Sequence, residues 1–321
     1  MLSPKENLLR MYRGELPEYL PRGGFREFKC SAFIDVKKPG CTRDEFGVEY
    51  TGKEDVFGGA PIPYPGHYVL DDITKWRDKI KAPDLSHIDW EALAAKDLKD
   101  IDRSTTGVVF YWGMIFQRLA DFMGFTEGLC AIAEEPEECY ALYEYLCDYN
   151  CEVLKNVCHY YKPDAVCIPD DTATARAPFI SPQAYKDLVK PFHAREAEIV
   201  LNSGSHIDMH DCGHCEAFID DWMDFGVTAW NPAQTSNDLA GKAEMGPEAH
   251  HLRGLGLCQH PDLRPVGQRD PAGAPDELRG HPGPQRRLHL FRLRFRQARR
   301  QRQDPPGRGE RRVRELRQEL L

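Results

Sequence analysis

The segment SHIDMHDCGHCE, residues 205–216, holds the densest set of chemically capable side chains in this sequence. Read as a strand, its side chains alternate, so His206, Asp208, His210 and Cys212 fall on one face. Four polar or ligating groups on one face of a central strand are costly to bury without a task. A His-x-Cys pair at a strand end brings an imidazole nitrogen and a thiolate close enough to share one Zn²⁺. An open coordination position would make that zinc a Lewis acid. The alternative for the same groups is a polar strand end in which they hydrogen-bond one another. Cys212-Gly213-His214-Cys215 also spells C-x-x-C after a strand, the setting of a dithiol oxidoreductase. Asp211 beside it opposes thiolate formation, and the chain is long for that fold.

Asp170 and Asp171, in IPDDTATARAPFIS, offer an acid, a base, a metal ligand or a substrate anchor. Adjacent carboxylates on a strand point to opposite sides, so one of the two faces the site. The other use for them is a helix cap or a salt bridge to Arg176. The candidate set is therefore Asp170, Asp171 and His206 for catalysis and His210 and Cys212 for metal. Tyr111, Trp112, Arg176, Asp208 and Asn231 are the candidates for substrate contact. His159, His193 and Cys167 read as structural, and Cys147, Cys151 and Cys158, on one helical pattern, read as packing.

Positioning these groups requires strands alternating with helices. TGVVFYWG (106–113) and DAVCIPDD (164–171) are apolar, β-branched strands, followed by SHIDMHDCG (205–213) and VTAWNPAQ (227–234). Between them lie helical patterns: IFQRLADFMG, a long one from about 136 to 161, SPQAYKDLVKPFHAREAEIVLNSG, and CEAFIDDWMDFG. Ser181 caps the third, Gly204 stops it and Pro191 marks a break. At the chain start, Ser3, Pro4 and Glu6 predict a capped helix with a capping box. Residues 38–75, rich in Gly, Pro and Asp, read as an irregular excursion. Strand–helix alternation argues for parallel βαβ units, and polar residues gather where the strands end. That favours a (β/α)8 barrel, whose strand C-termini form the active face, over a doubly wound sheet.

The 321 residues carry a net charge of −9 and 41% hydrophobic residues, enough for a sizeable core. No run of 18 apolar residues exists and the start lacks the apolar stretch of a secretory signal, so a cytoplasmic protein is expected. Eleven cysteines in a chain this long point to reduced thiols. The average charge hides two unlike parts. Residues 1–240 hold 24 Lys+Arg against 41 Asp+Glu, whereas residues 241–321 hold 18 against 10. The second part has 17 Arg to 1 Lys and lacks Ser, Thr, Asn, Ile, Tyr and Trp altogether.

Over residues 3–240 the chain resembles the uroporphyrinogen decarboxylase superfamily, in particular its methyltransferase branch that works with corrinoid proteins. The resemblance lies in the order and spacing of SPKENLLRMYRGE, DEFGVEYTG, FMGFTEGLCAIAEEPEE, ISPQAYKDLVKPF, HDCGH and DFGVTAWNPAQTSNDLAG. It implies a (β/α)8 barrel and a zinc-dependent methyltransferase. Such an enzyme moves a methyl group between a small methylated substrate, such as an aryl methyl ether, and a corrinoid carried by a partner protein. The superfamily's zinc enzymes use His-x-Cys plus a distant Cys. His210 and Cys212 match the first two, and no third ligand is assignable from the sequence. True decarboxylases carry an Arg-rich segment near the N-terminus, and here PEYLPRGGFREF offers only Arg22 and Arg26. Porphyrinogen decarboxylation is the alternative activity, and a non-catalytic corrinoid-binding or scaffold protein the alternative class.

The family pattern stops near Gly241. A basic arm can bind nucleic acid or an anionic membrane, but neither explains the missing residue types, and neither partner is expected. Plausible codons for residues 291–310 read one base later spell SGFGFGKPDDKDKILRVEE, similar to the superfamily's closing strand and loop. The expectation is a frameshift near 241–245 that costs the barrel its last two strands and leaves residues 241–321 poorly ordered.

Overall fold

The computed structural model describes residues 2–19, 24–28, 30–33, 42–51, 61–234, 236–238 and 256–257. The first helix, α1 (Pro4–Tyr12), starts as its sequence dictates, with the Glu6 N–H donating to Ser3 Oγ at 3.1 Å. The Glu6 carboxylate does not complete a capping box; it pairs with Arg13 at 2.6 Å. Strand β1 (Phe25–Phe28) follows, then short α2 (Trp76–Lys79), α3 (Trp90–Leu98) and β2 (Gly107–Tyr111). Helices α4 (Phe116–Met123), α5 (Phe125–Glu134) and the 25-residue α6 (Pro136–Tyr160) lead to β3 (Ala165–Pro169). Then come α7 (Pro182–Leu188), α8 (Lys190–Asn202), β4 (His206–His210), α9 (Ile219–Asp224), β5 (Ala229–Asn231) and β6 (Gly256–Leu257). Pro191 breaks the helical run by sitting in the first turn of α8, where its missing N–H costs nothing.

The six strands form one sheet in the order β1-β2-β3-β4-β5-β6, every pair parallel. Neighbours in the sheet follow chain order without the reversal that a doubly wound sheet needs. This is the progression of a (β/α)8 barrel, incomplete because the sheet ends at β6 among the described residues. Of residues 241–321, expected to be poorly ordered, β6 is described and the rest lie outside the described residues.

Strand alternation sorts the side chains into two clusters. Val108, Phe110, Val166, Ile168, Ile207, Met209 and Trp230 are buried on the helix side. Val109, Ala165, Cys167 and Ala229 point to the concave face, where Leu8 and Tyr12 of α1 cover them. The mostly small concave residues leave room there for α1 and for the polar groups of β4. No helix among the described residues is long and apolar enough to cross a membrane.

Candidate metal centre

Strands β3 and β4 run side by side with Pro169 opposite His210. Two residues beyond that pair, the chain places Asp171 beside Cys212, whose backbone N–H donates to Asp171 Oδ1 at 2.8 Å. His210 Nε2 lies 3.8 Å from Cys212 Sγ and 4.0 Å from Asp171 Oδ1. The three ligating atoms fall within 4.8 Å of one another, the one such donor cluster among the described residues. Tetrahedral zinc would hold a nitrogen and a sulfur about 3.5 Å apart, close to the 3.8 Å between His210 and Cys212, and would draw Asp171 further in. All three side chains are half-buried, which leaves an approach for a further ligand. The donor set fits a divalent metal.

The frame around these donors is tight. Asn231, opposite His210 on β5, places its Oδ1 2.6 Å from His210 Nδ1. Tyr111 packs its ring edge-on against His210 at 5.6 Å. Gly213 has φ +109°, and a Cβ there would lie 2.5 Å from the Thr174 carbonyl oxygen. Only glycine allows the turn that carries Cys212. Asp211 is fully buried and accepts from the Thr172 N–H at 2.9 Å and from the Thr172 hydroxyl, locking the ends of β3 and β4 together.

Burial, reinforced by Asp171, pushes the Cys212 thiol up to about 12. A bound cation reverses that balance, because metal coordination deprotonates a thiol outright. Burial and Asp211 likewise raise Cys215, whose thiol donates to Asp211 Oδ1 at 3.2 Å. A reactive dithiol needs a lowered thiol pKa; burial and the neighbouring carboxylates push both thiols the other way.

Five expected site residues are placed elsewhere. Asp170 is fully buried behind the site, accepting the backbone N–H groups of Ile115, Phe116 and Gln117 at 3.3, 2.8 and 2.7 Å. His193 Nε2 lies 2.9 Å from the same carboxylate, so Asp170 anchors the start of α4 and has no exposed atom for catalysis. His206 begins β4, about 13 Å from its far end at 3.3 Å per residue; there its ring stacks on Tyr12. Asp208 lies below the mouth, buried, accepting from Tyr12 Oη at 3.2 Å. Trp112 faces the helix side, its ring 4.4 Å from that of Phe33. Arg176 is exposed on the turn after β3 and makes no ion pair with Asp170 among the described residues. Tyr111, Asn231, Asp171, His210 and Cys212 are brought together. A cavity of about 650 Å³ between α3 and α6, lined by Trp90, Tyr145 and Tyr149 among others, contains none of these donors.

The third donor, Asp171, was legible as a carboxylate at a strand end but not as a partner of His210, from which 38 intervening residues separate it. The usable cue is register: in adjacent parallel strands, residues two beyond a matched pair meet. Asp211 and Gly213, which hold the loop, carry no motif of their own.

Residues 57–254 match the family model described as uroporphyrinogen decarboxylase (URO-D). No curated protein matches the chain. Among solved structures, the chain is similar to a methyltransferase from Methanosarcina mazei, at 12% identity and a TM-score of 0.48, covering 79% of this chain and 82% of that one.

Proposed function

This chain belongs to the uroporphyrinogen decarboxylase family, and from that premise we propose that it is a zinc-dependent methyltransferase. In this reading a methyl group moves between a small methylated substrate, such as an aryl methyl ether, and a corrinoid held by a partner protein. The observation that carries the reading is the cluster of Asp171, His210 and Cys212 at the C-terminal mouth of the strands. Porphyrinogen decarboxylation needs no metal and would give such a cluster no role.

Asp171 Oδ1, His210 Nε2 and Cys212 Sγ would hold the zinc. When bound, zinc supplies Lewis-acid polarisation of the substrate oxygen that leaves as the methyl group departs. The chain's own contribution is to hold the donors in place. Asp171 also fixes the Cys212 backbone, and Tyr111 walls one side of His210.

The test is methyl transfer from an aryl methyl ether to free reduced cobalamin, with and without a metal chelator. Transfer that disappears on chelation and returns with Zn²⁺ supports the reading. Transfer that persists after chelation sinks the zinc role, and metal-free loss of CO₂ from a porphyrinogen replaces the proposal with a decarboxylase.

A further inference from the structure

Resting on the metal centre proposed above, we infer that Asn231 is its positioning residue: the Asn231 carboxamide oxygen holds His210 in the tautomer protonated on Nδ1, which presents a bare Nε2 to the site. The contact is short, 2.6 Å between Asn231 Oδ1 and His210 Nδ1. It joins the two residues paired across the β4–β5 ladder, so the strands themselves set it. On the opposite edge of the ring, Nε2 faces Cys212 Sγ at 3.8 Å and Asp171 Oδ1 at 4.0 Å.

The tautomer depends on which end of the amide faces the ring, and the other end decides it. Asn231 Nδ2 donates to Cys167 Sγ at 3.6 Å. With the amide nitrogen on the thiol side, the amide oxygen is the end turned to His210. An acceptor at Nδ1 requires the ring proton there, and the lone pair on Nε2 is then free for a cation. Ligating histidines in metal sites are held in this way by a carboxylate or carbonyl on the far nitrogen. A role in substrate contact was expected for Asn231 from the sequence; both ends of its amide are instead engaged by protein groups. The neighbouring indole adds rigidity, with Trp230 Nε1 donating to the Asp211 carbonyl at 3.0 Å.

The experiment titrates the metal-stripped full chain with Co²⁺ alone and follows the thiolate-to-cobalt absorption. It compares wild type with Asn231→Leu, Asn231→Asp and His210→Ala. Asn231→Leu keeps the size but removes the acceptor, and its cobalt affinity is expected to fall by about 10- to 100-fold. Asn231→Asp keeps an acceptor and should stay within about threefold of wild type, the rescue that a merely structural role would not show. If Asn231→Leu binds cobalt as tightly as wild type while His210→Ala does not, the positioning role is overturned and the metal centre stands. If His210→Ala also binds as wild type does, the metal centre itself fails and this inference falls with it. Should Asn231→Leu not fold, ¹⁵N-histidine NMR of the wild-type chain decides. A proton on His210 Nδ1 is expected, and a proton on Nε2 overturns the inference.

Discussion

The carboxylates of Asp170 and Asp171, neighbours in the chain, leave the end of β3 in opposite directions. One is buried against the start of α4, with three backbone N–H groups and His193 on its oxygens. The other accepts from Cys212 at the mouth of the strands. The buried one continues into a chain of contacts: Trp222 Nε1 donates to Tyr185 Oη at 3.1 Å, and Tyr185 Oη lies 3.0 Å from His193 Nδ1. Asp170→Ala leaves several buried donors unsatisfied and should cost about 3 kcal/mol or more. Asp171→Ala should cost less than about 1 kcal/mol while abolishing tight metal binding. Denaturant unfolding and metal titration of the two variants check this; equal stabilities would contradict it.

Gly213 gives a second separation of strain from contact. An alanine there meets the Thr174 carbonyl oxygen at 2.5 Å, whereas at Gly47, also at positive φ (+83°), an added Cβ meets nothing within 4 Å. Gly47→Ala should lose about 1 kcal/mol for backbone conformation alone. Gly213→Ala should lose more and should weaken metal binding by displacing Cys212. Matching losses, with metal binding intact, would show that the turn is not under steric control.

The half-buried excursion at residues 42–51 is pinned by charge. Arg118 lies 2.6 Å from Asp44, 3.6 Å from Glu45 and 3.6 Å from Asp121, with all four side chains nearly sealed from solvent. Arg118→Met should destabilise the fold by about 3–5 kcal/mol, because buried carboxylates lose their counter-charge.

The same cluster sets a pH dependence. Burial raises the Asp121 carboxyl to about 6 against the pull of Arg118. The folded chain keeps this proton between about pH 4 and 6, where the unfolded chain has lost it. The contribution is therefore complete below pH 4 and falls as pH rises, by at most about 1.4 kcal/mol per unit. The stability of wild type relative to Asp121→Asn should therefore fall steadily from pH 4 to 6. A constant difference from pH 4 to 6 would assign Asp121 an ordinary pKa.

Much of this architecture is readable in the sequence because period and punctuation are local. The strands at 107–111 and 165–169 follow from short apolar runs with β-branched residues, that at 206–210 from polar and apolar residues alternating, and the helix break before Pro191 from its ring. His210 and Cys212 were legible because they lie two residues apart on one strand. What the sequence hid is long-range. β1 is only four residues with an exposed middle, so it carries no apolar run. Asp171 joins the site through β3–β4 register, and His206 is excluded by four residues of strand length. Trp112 looked like pocket lining because it ends a strand, but alternation turns it to the helix side.

The composition change at Gly241 has its own check. The family match runs on to residue 254 and β6 lies beyond Gly241; if residues 241–321 are nonetheless out of frame, resequencing across codons 235–250 should show a missing or extra base. A confirmed frame, with an intact mass that matches the 321-residue chain, would make the Arg-rich segment a natural part of the protein.

The central claim is that Asp171, His210 and Cys212 hold one metal ion. X-ray absorption at the zinc edge of the zinc-loaded full chain tests it most directly. The account predicts one sulfur at about 2.3 Å with nitrogen and oxygen neighbours at about 2.0–2.2 Å, the sulfur vanishing in Cys212→Ser. A zinc shell without sulfur in the wild-type protein, or one unchanged in Cys212→Ser, would contradict it.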